Sequence, residues 1–118
     1  MGAANLIDLE RDGEVTVVVI RGEHDLSTSE ALRAQFEAVR ELHRPYVIDL
    51  SEATFIDSAV LGVLISAHDR AAQDGTGVGF VIGSGATVRK IIELTGLTAV
   101  LPIAESRSAA LHAIGVTG

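Results

Sequence analysis

The chain has 118 residues, 47% of them hydrophobic and only 3% aromatic, with a formal net charge of −7. That length fits one domain spanning 1–118, with a core of Val, Ile, Leu and Ala and the rings Phe36, Phe55, Phe80 and Tyr46. The acidic balance and scarce rings argue against a phosphate-backbone or base-stacking binder, and zero cysteines exclude disulfides and thiolate metal sites.

Leu6 to Glu10 alternates, Asp12-Gly13 marks a tight turn, and Val15 and Val17 to Ile20 follow, so the chain is expected to open with a β-hairpin. Gly22 to Thr28 reads as a loop, with Gly22 ending the strand. Ser27 and Glu30 then carry capping-box spacing for a helix whose inward face is Leu32, Phe36, Val39 and Leu42, ended by Arg44-Pro45. Tyr46 to Leu50 is an almost continuous apolar run, expected to be a central strand covered on both faces. A helix from about Ala59 to Asp74 follows, with Leu61, Leu64, Ile65 and His68 on one face and Gly75 as its stop.

Val78 to Ile82 reads as a strand, and Ser84 as the cap of a helix running to Thr95 with Val88, Ile91 and Ile92 inward. Ala99 to Leu101 is expected to be a last strand, and Glu105 to Ile114 a last helix. A hairpin followed by helix–strand alternation gives an α/β domain with a mixed sheet and about four helices. The apolar runs are strand-sized and no signal peptide stands at the start, so a soluble cytoplasmic protein is expected, with no membrane or direct nucleic-acid partner.

Asp57-Ser58 stands where an apolar run gives way to a helix. One of the pair caps that helix, as both residue types prefer to. A phosphate there is also tolerated by the free amides and the macrodipole, so Ser58 is a candidate phosphoacceptor and the two roles are compatible. Asp57 could then orient the hydroxyl or help hold a partner's cation. The Gly22 to Thr28 segment, with Asp25, Ser27 and Thr28, leaves a strand end as Asp57 does and is expected beside it. Gly83-Ser84-Gly85 opens a helix but lacks a full dinucleotide or P-loop pattern, and reads as a turn. The four histidines show no ligand spacing, and no nucleophile–base–acid set assembles, so neither a metal nor catalysis is expected.

The combined pattern resembles the STAS domains, in particular the bacterial anti-sigma-factor antagonists. The likeness rests on the early hairpin, Gly22-Glu23-x-Asp25-Leu26, Val47-Ile48-Asp49-Leu50, Asp57-Ser58-x-x-Leu61-Gly62-Val63-Leu64, and Ile92-x-Leu94-x-Gly96-Leu97. It implies a non-enzymatic cytoplasmic protein that binds an anti-sigma factor with serine-kinase activity and thereby frees a sigma factor for transcription. By the same resemblance, phosphorylation of Ser58 ends the complex and a serine phosphatase reverses it. The ATP is the kinase's, so no cofactor is implied. The expected contact residues are Asp25, Ser27, Thr28, Asp57, Ser58, Ala59, Val60 and Leu61, and a weak homodimer stays open. Two positions depart from the family pattern. Ala59-Val60 replaces the usual Ser-Gly, which stiffens the helix start, and His24 replaces an apolar residue, which could alter the contact face or add pH sensitivity. The first departure motivates an alternative: a scaffold without phosphorylation, in a stress complex or as a cytosolic component of a lipid or anion transporter.

Overall fold

A computed structural model describes residues 5–83 and 86–115. Strands β1 (Asn5–Asp12) and β2 (Val15–His24) form the expected hairpin, pairing antiparallel from Asn5↔Gly22 to Asp12↔Val15. The turn between them uses Gly13 at φ +64°, a left-handed conformation that glycine adopts at no steric cost. Helix α1 (Leu26–Arg40) leads to β3 (Tyr46–Ile56), α2 (Ser58–Gln73) to β4 (Val78–Val81), and α3 (Ala86–Leu94) with a 3-10 turn at Leu97–Ala99 to the short β5 (Ile103–Ala104). Helix α4 (Arg107–Ala113) is the last element among the described residues. The five strands lie in sequence order, β2 to β5 all parallel.

Alternation along the central strands divides the core in two. Val18, Ile20, Ile48, Leu50 and Phe80 point to one face, where they meet Leu32, Phe36 and Val39 of α1, Val60 and Leu64 of α2, and Val88 and Ile92 of α3. Val17, Val19, Val47 and Val81 point to the other, against Ala110 of α4. Burial on both faces is why β2 and β3 read as unbroken apolar runs. Asp49 is the exception, a carboxylate on the α4 face only 4% exposed. Its Oδ1 accepts the Ser51 N–H at 2.8 Å and its Oδ2 accepts Arg107 Nε–H at 2.8 Å. Arg107 also reaches Glu10, and Arg21 joins Glu10, Asp8 and Glu52, so the charges fasten α4 across three strands. Gly79 lets α4 approach closely, because a Cβ there would lie 3.1 Å from the Ala110 carbonyl oxygen.

Several expected boundaries are corrected. Gly22 does not end β2. It takes φ +80° at a register shift against β3, and the strand continues as a bulged ribbon to His24. For the same reason β3 runs past Leu50 to Ile56. The N-cap of α1 is Asp25 and not Ser27: Ser27 N–H donates to Asp25 Oδ1 at 2.9 Å, and Asp25 N–H donates to Thr28 Oγ1 at 3.2 Å. The helix ends at Arg40, since His43 turns the chain at φ +57°, and this leaves Leu42 56% exposed and not inward. Residues Leu97–Ala99 form a 3-10 turn, and the edge strand comes only after Pro102. Ser84 and Gly85 lie outside the described residues. Gly83 is a packing residue, as a Cβ there would meet Ser51 Cβ at 3.1 Å.

Candidate functional site

The parallel strands β2 and β3 end side by side, with His24 paired to Ile56. The chain therefore leaves both strands at one edge of the sheet and starts two helices there. Asp25 and Asp57 are the two N-caps, both in extended backbone, as capping requires. Asp57 caps more than its own helix. Its Oδ1 accepts Val60 N–H of α2 at 3.1 Å, and its Oδ2 accepts Leu26 N–H of α1 at 3.1 Å. One carboxylate thus satisfies orphan amides of two helices and ties their starts together.

Ser58 is the first residue of α2, and it is exposed. Asp57 is partly exposed beside it, and Ala59 is partly exposed after it. Across the Asp57 tether stand Asp25 and Ser27, exposed, and Thr28, half-buried. The structure therefore brings together Asp25, Ser27, Thr28, Asp57, Ser58 and Ala59, the two segments expected to meet. Val60 and Leu61 are corrected: they are 0% and 8% exposed and belong to the core under the corner, with almost no surface left for a partner. The branched Val60 stiffens the start of α2 from beneath without covering the serine.

Electrostatically the corner is acidic and internally satisfied. The Ser27 hydroxyl donates to Asp25 Oδ1 at 2.6 Å, and that bond with the Ser27 amide holds the Asp25 carboxyl below its usual range. His24, where a change to the contact face was expected, is instead an internal strut, 1% exposed. Its Nε2–H donates to the Arg21 carbonyl at 3.0 Å, and its Nδ1 lies 3.0 Å from Thr28 Oγ1. It thus pins the end of β2 to the first turn of α1. Two residues of the corner, Leu26 and Gly62, stand in the motifs quoted above but not among the expected contact residues. Leu26 stands 73% exposed between the two caps, and Gly62 is exposed one turn beyond Ser58. Leu26 lies to one side of the stripe Ser29, Leu32, Phe36 and Val39, and that offset was the available signal.

Among the described residues no group of three or more His, Asp or Glu is placed to hold a metal, and no helix is long and apolar enough to cross a membrane. Surface grooves of about 270 and 510 Å³ lie near Tyr46 and Val78, at the opposite end of the strands.

The family model described as "Mlab, STAS domain" matches residues 7–102. A crystal structure of an anti-sigma factor antagonist from Mycobacterium paratuberculosis superposes with a TM-score of 0.81, at 33% identity over 93% of each chain. The anti-sigma F factor antagonist of Paenibacillus polymyxa is 29% identical over 112 residues, 93% of this chain and 95% of that protein. SpoIIAA, a Bacillus cell fate determinant, shares the fold in its unphosphorylated form (TM-score 0.69, 21% identity, 96% and 100% covered) and its phosphorylated form (TM-score 0.63, 20% identity, 91% and 97% covered). With its hairpin-led mixed sheet, its paired helix starts and these likenesses along nearly its whole length, the chain belongs to the STAS family, among the anti-sigma factor antagonists.

Proposed function

We propose that the protein is a cytoplasmic, non-enzymatic antagonist, folded as one domain over 1–118, that docks an anti-sigma factor with serine-kinase activity through the corner of Asp25, Ser27, Thr28, Asp57, Ser58 and Ala59. The kinase passes the terminal phosphoryl group of its ATP to Ser58 Oγ, the complex parts, and a serine phosphatase returns the hydroxyl. The observation that carries this reading is the exposed Ser58 at the first position of α2 beside a cap that already holds both helix starts. A phosphate adds about −1.5 to −2 charge, and a helix N-terminus tolerates it. The protein's charge goes from −7 to about −9, concentrated beside Asp57. Burying that dianion against a partner costs far more than the hydroxyl did. Binding is lost and the fold is kept, in keeping with the fold that SpoIIAA shows in both forms.

The test is to incubate the protein with serine-kinase anti-sigma factors and ATP, map the phosphate by mass spectrometry, and compare pull-downs. Ser58→Ala is expected to bind and take no label, and Ser58→Asp to lose the partner. Label on another residue, or tight binding by Ser58→Asp, contradicts the reading. A second reading, a scaffold without phosphorylation in a stress complex or a lipid or anion transporter, is favoured by the rigid Val60 under the helix start. Normal signalling by Ser58→Ala, with co-purification of transporter subunits, would select it.

A further inference from the structure

We infer that the centre of this docking surface is apolar and closely packed, with Leu26 as its knob and Gly62 as a bare patch beside Ser58. It fits an anti-sigma factor that offers an apolar pocket inside a cationic rim. The inference rests on the antagonist reading above and names the determinants of that same site.

Leu26 is 73% exposed yet firmly held. Its N–H donates to Asp57 Oδ2 at 3.1 Å, and its carbonyl accepts the Ser29 hydroxyl at 2.9 Å. A leucine on a turn already ordered brings apolar area to a partner without the cost of ordering a loop. Gly62 is an independent observation on a different helix. A Cβ built there meets no heavy atom within 4 Å, and its backbone is ordinary helix. Nothing inside this fold asks for glycine at that position, and alanine would favour the helix. What a glycine gives here faces outward: a surface without a side chain, one turn from Ser58, on which a partner's backbone can close.

Charge selects the occupant. The acids around the corner are Glu23, Asp25, Glu30 and Asp57, and the cation on the exposed face of α1, Arg33, is already paired with Glu30 at 3.8 Å. A second copy docking through the same corner would set these acids against themselves. A partner with cations opposite Glu23 and Glu30 would not. The carboxylates of Asp25 and Asp57 are engaged with Ser27, Val60 and Leu26, so the middle of the contact is Leu26, the Ser58 hydroxyl and Gly62. A phosphate on Ser58 lands in that apolar middle and must shed its water for the partner to stay.

The experiment is calorimetric titration of a panel of purified serine-kinase anti-sigma factors from the same genome with wild type, Leu26→Ala and Gly62→Ala, alongside thermal melts of each. Leu26→Ala is expected to weaken binding roughly ten- to a hundredfold with an unchanged melt, because its side chain touches little of its own fold. Gly62→Ala is expected to raise the melting temperature and still weaken binding at least about tenfold. Wild-type affinity in both variants overturns the inference and leaves the antagonist reading standing. A lowered melt for Gly62→Ala assigns the glycine to the fold and also overturns it. Failure of wild type to bind any kinase of the panel overturns the antagonist reading itself, and the inference with it.

Discussion

Asp57 does at the residue scale what no other side chain of the corner does: it caps α2 and holds α1 through Leu26. Asp57→Ala leaves two amides without their acceptor and should cost about 1–2 kcal/mol, seen as a lower urea midpoint with an unchanged slope. Asp57→Asn keeps an acceptor oxygen and should recover part of that loss. Asp49 makes a pH prediction. Burial pushes its carboxyl up, but the Ser51 side chain, the Arg107 guanidinium and the Ser51 amide together outweigh this and hold it below the ordinary 3.8. A carboxyl whose pKa is depressed on folding contributes stability above its unfolded value and loses it as pH falls through the folded value. Urea midpoints should therefore decline as pH falls below about 4, and less steeply in Asp49→Asn. That variant should also be less stable at pH 7 by about 2 kcal/mol, the usual cost of removing a hydrogen bond to a charged group.

At the scale of elements, α4 rests on β4 through a contact that has no room to spare. Gly79→Val should be destabilising by about 1–3 kcal/mol, because the new side chain meets the Ala110 carbonyl and Cβ and must push the helix away from the Asp49–Arg107 pair. Chemical denaturation measures the loss. The type and order of these elements were legible in the sequence, because buried parallel strands and amphipathic helices leave different periodicities. The final strand is the exception: Pro102 follows a 3-10 turn, and only two residues pair with β4. The starts and ends were less legible. Asp25 and Ser27 are both good caps, each with a partner three residues on, and only the tertiary bond from Leu26 to Asp57 shows how the corner is set. The bulge at Gly22 is equally invisible, since a glycine reads as a stop until a paired strand carries the ribbon onward. The place of Ser58 at the start of a helix was legible. The burial of Val60, the strut made by His24 and the exposure of Leu26 were not, since each depends on which helix packs above which strand.

For the whole molecule, a sheet in sequence order sends the ends of β2 and β3 to one edge, and the two charged caps there carry the surface proposed for docking. The core lies beneath this edge, so charge can be added at Ser58 without disturbing the packing of Val60 and Leu61. Phosphorylation at Ser58 should leave the circular dichroism spectrum unchanged and move the melting temperature by no more than about 5 °C, the scale of a charge at a helix end. Binding is where the effect should concentrate. The decisive measurement is the dissociation constant of the complex with the kinase anti-sigma factor, for the unphosphorylated protein and for protein quantitatively phosphorylated at Ser58. The account predicts a loss of affinity of at least about a hundredfold, some 2.7 kcal/mol, with the fold intact. Equal affinity of the two forms would contradict it.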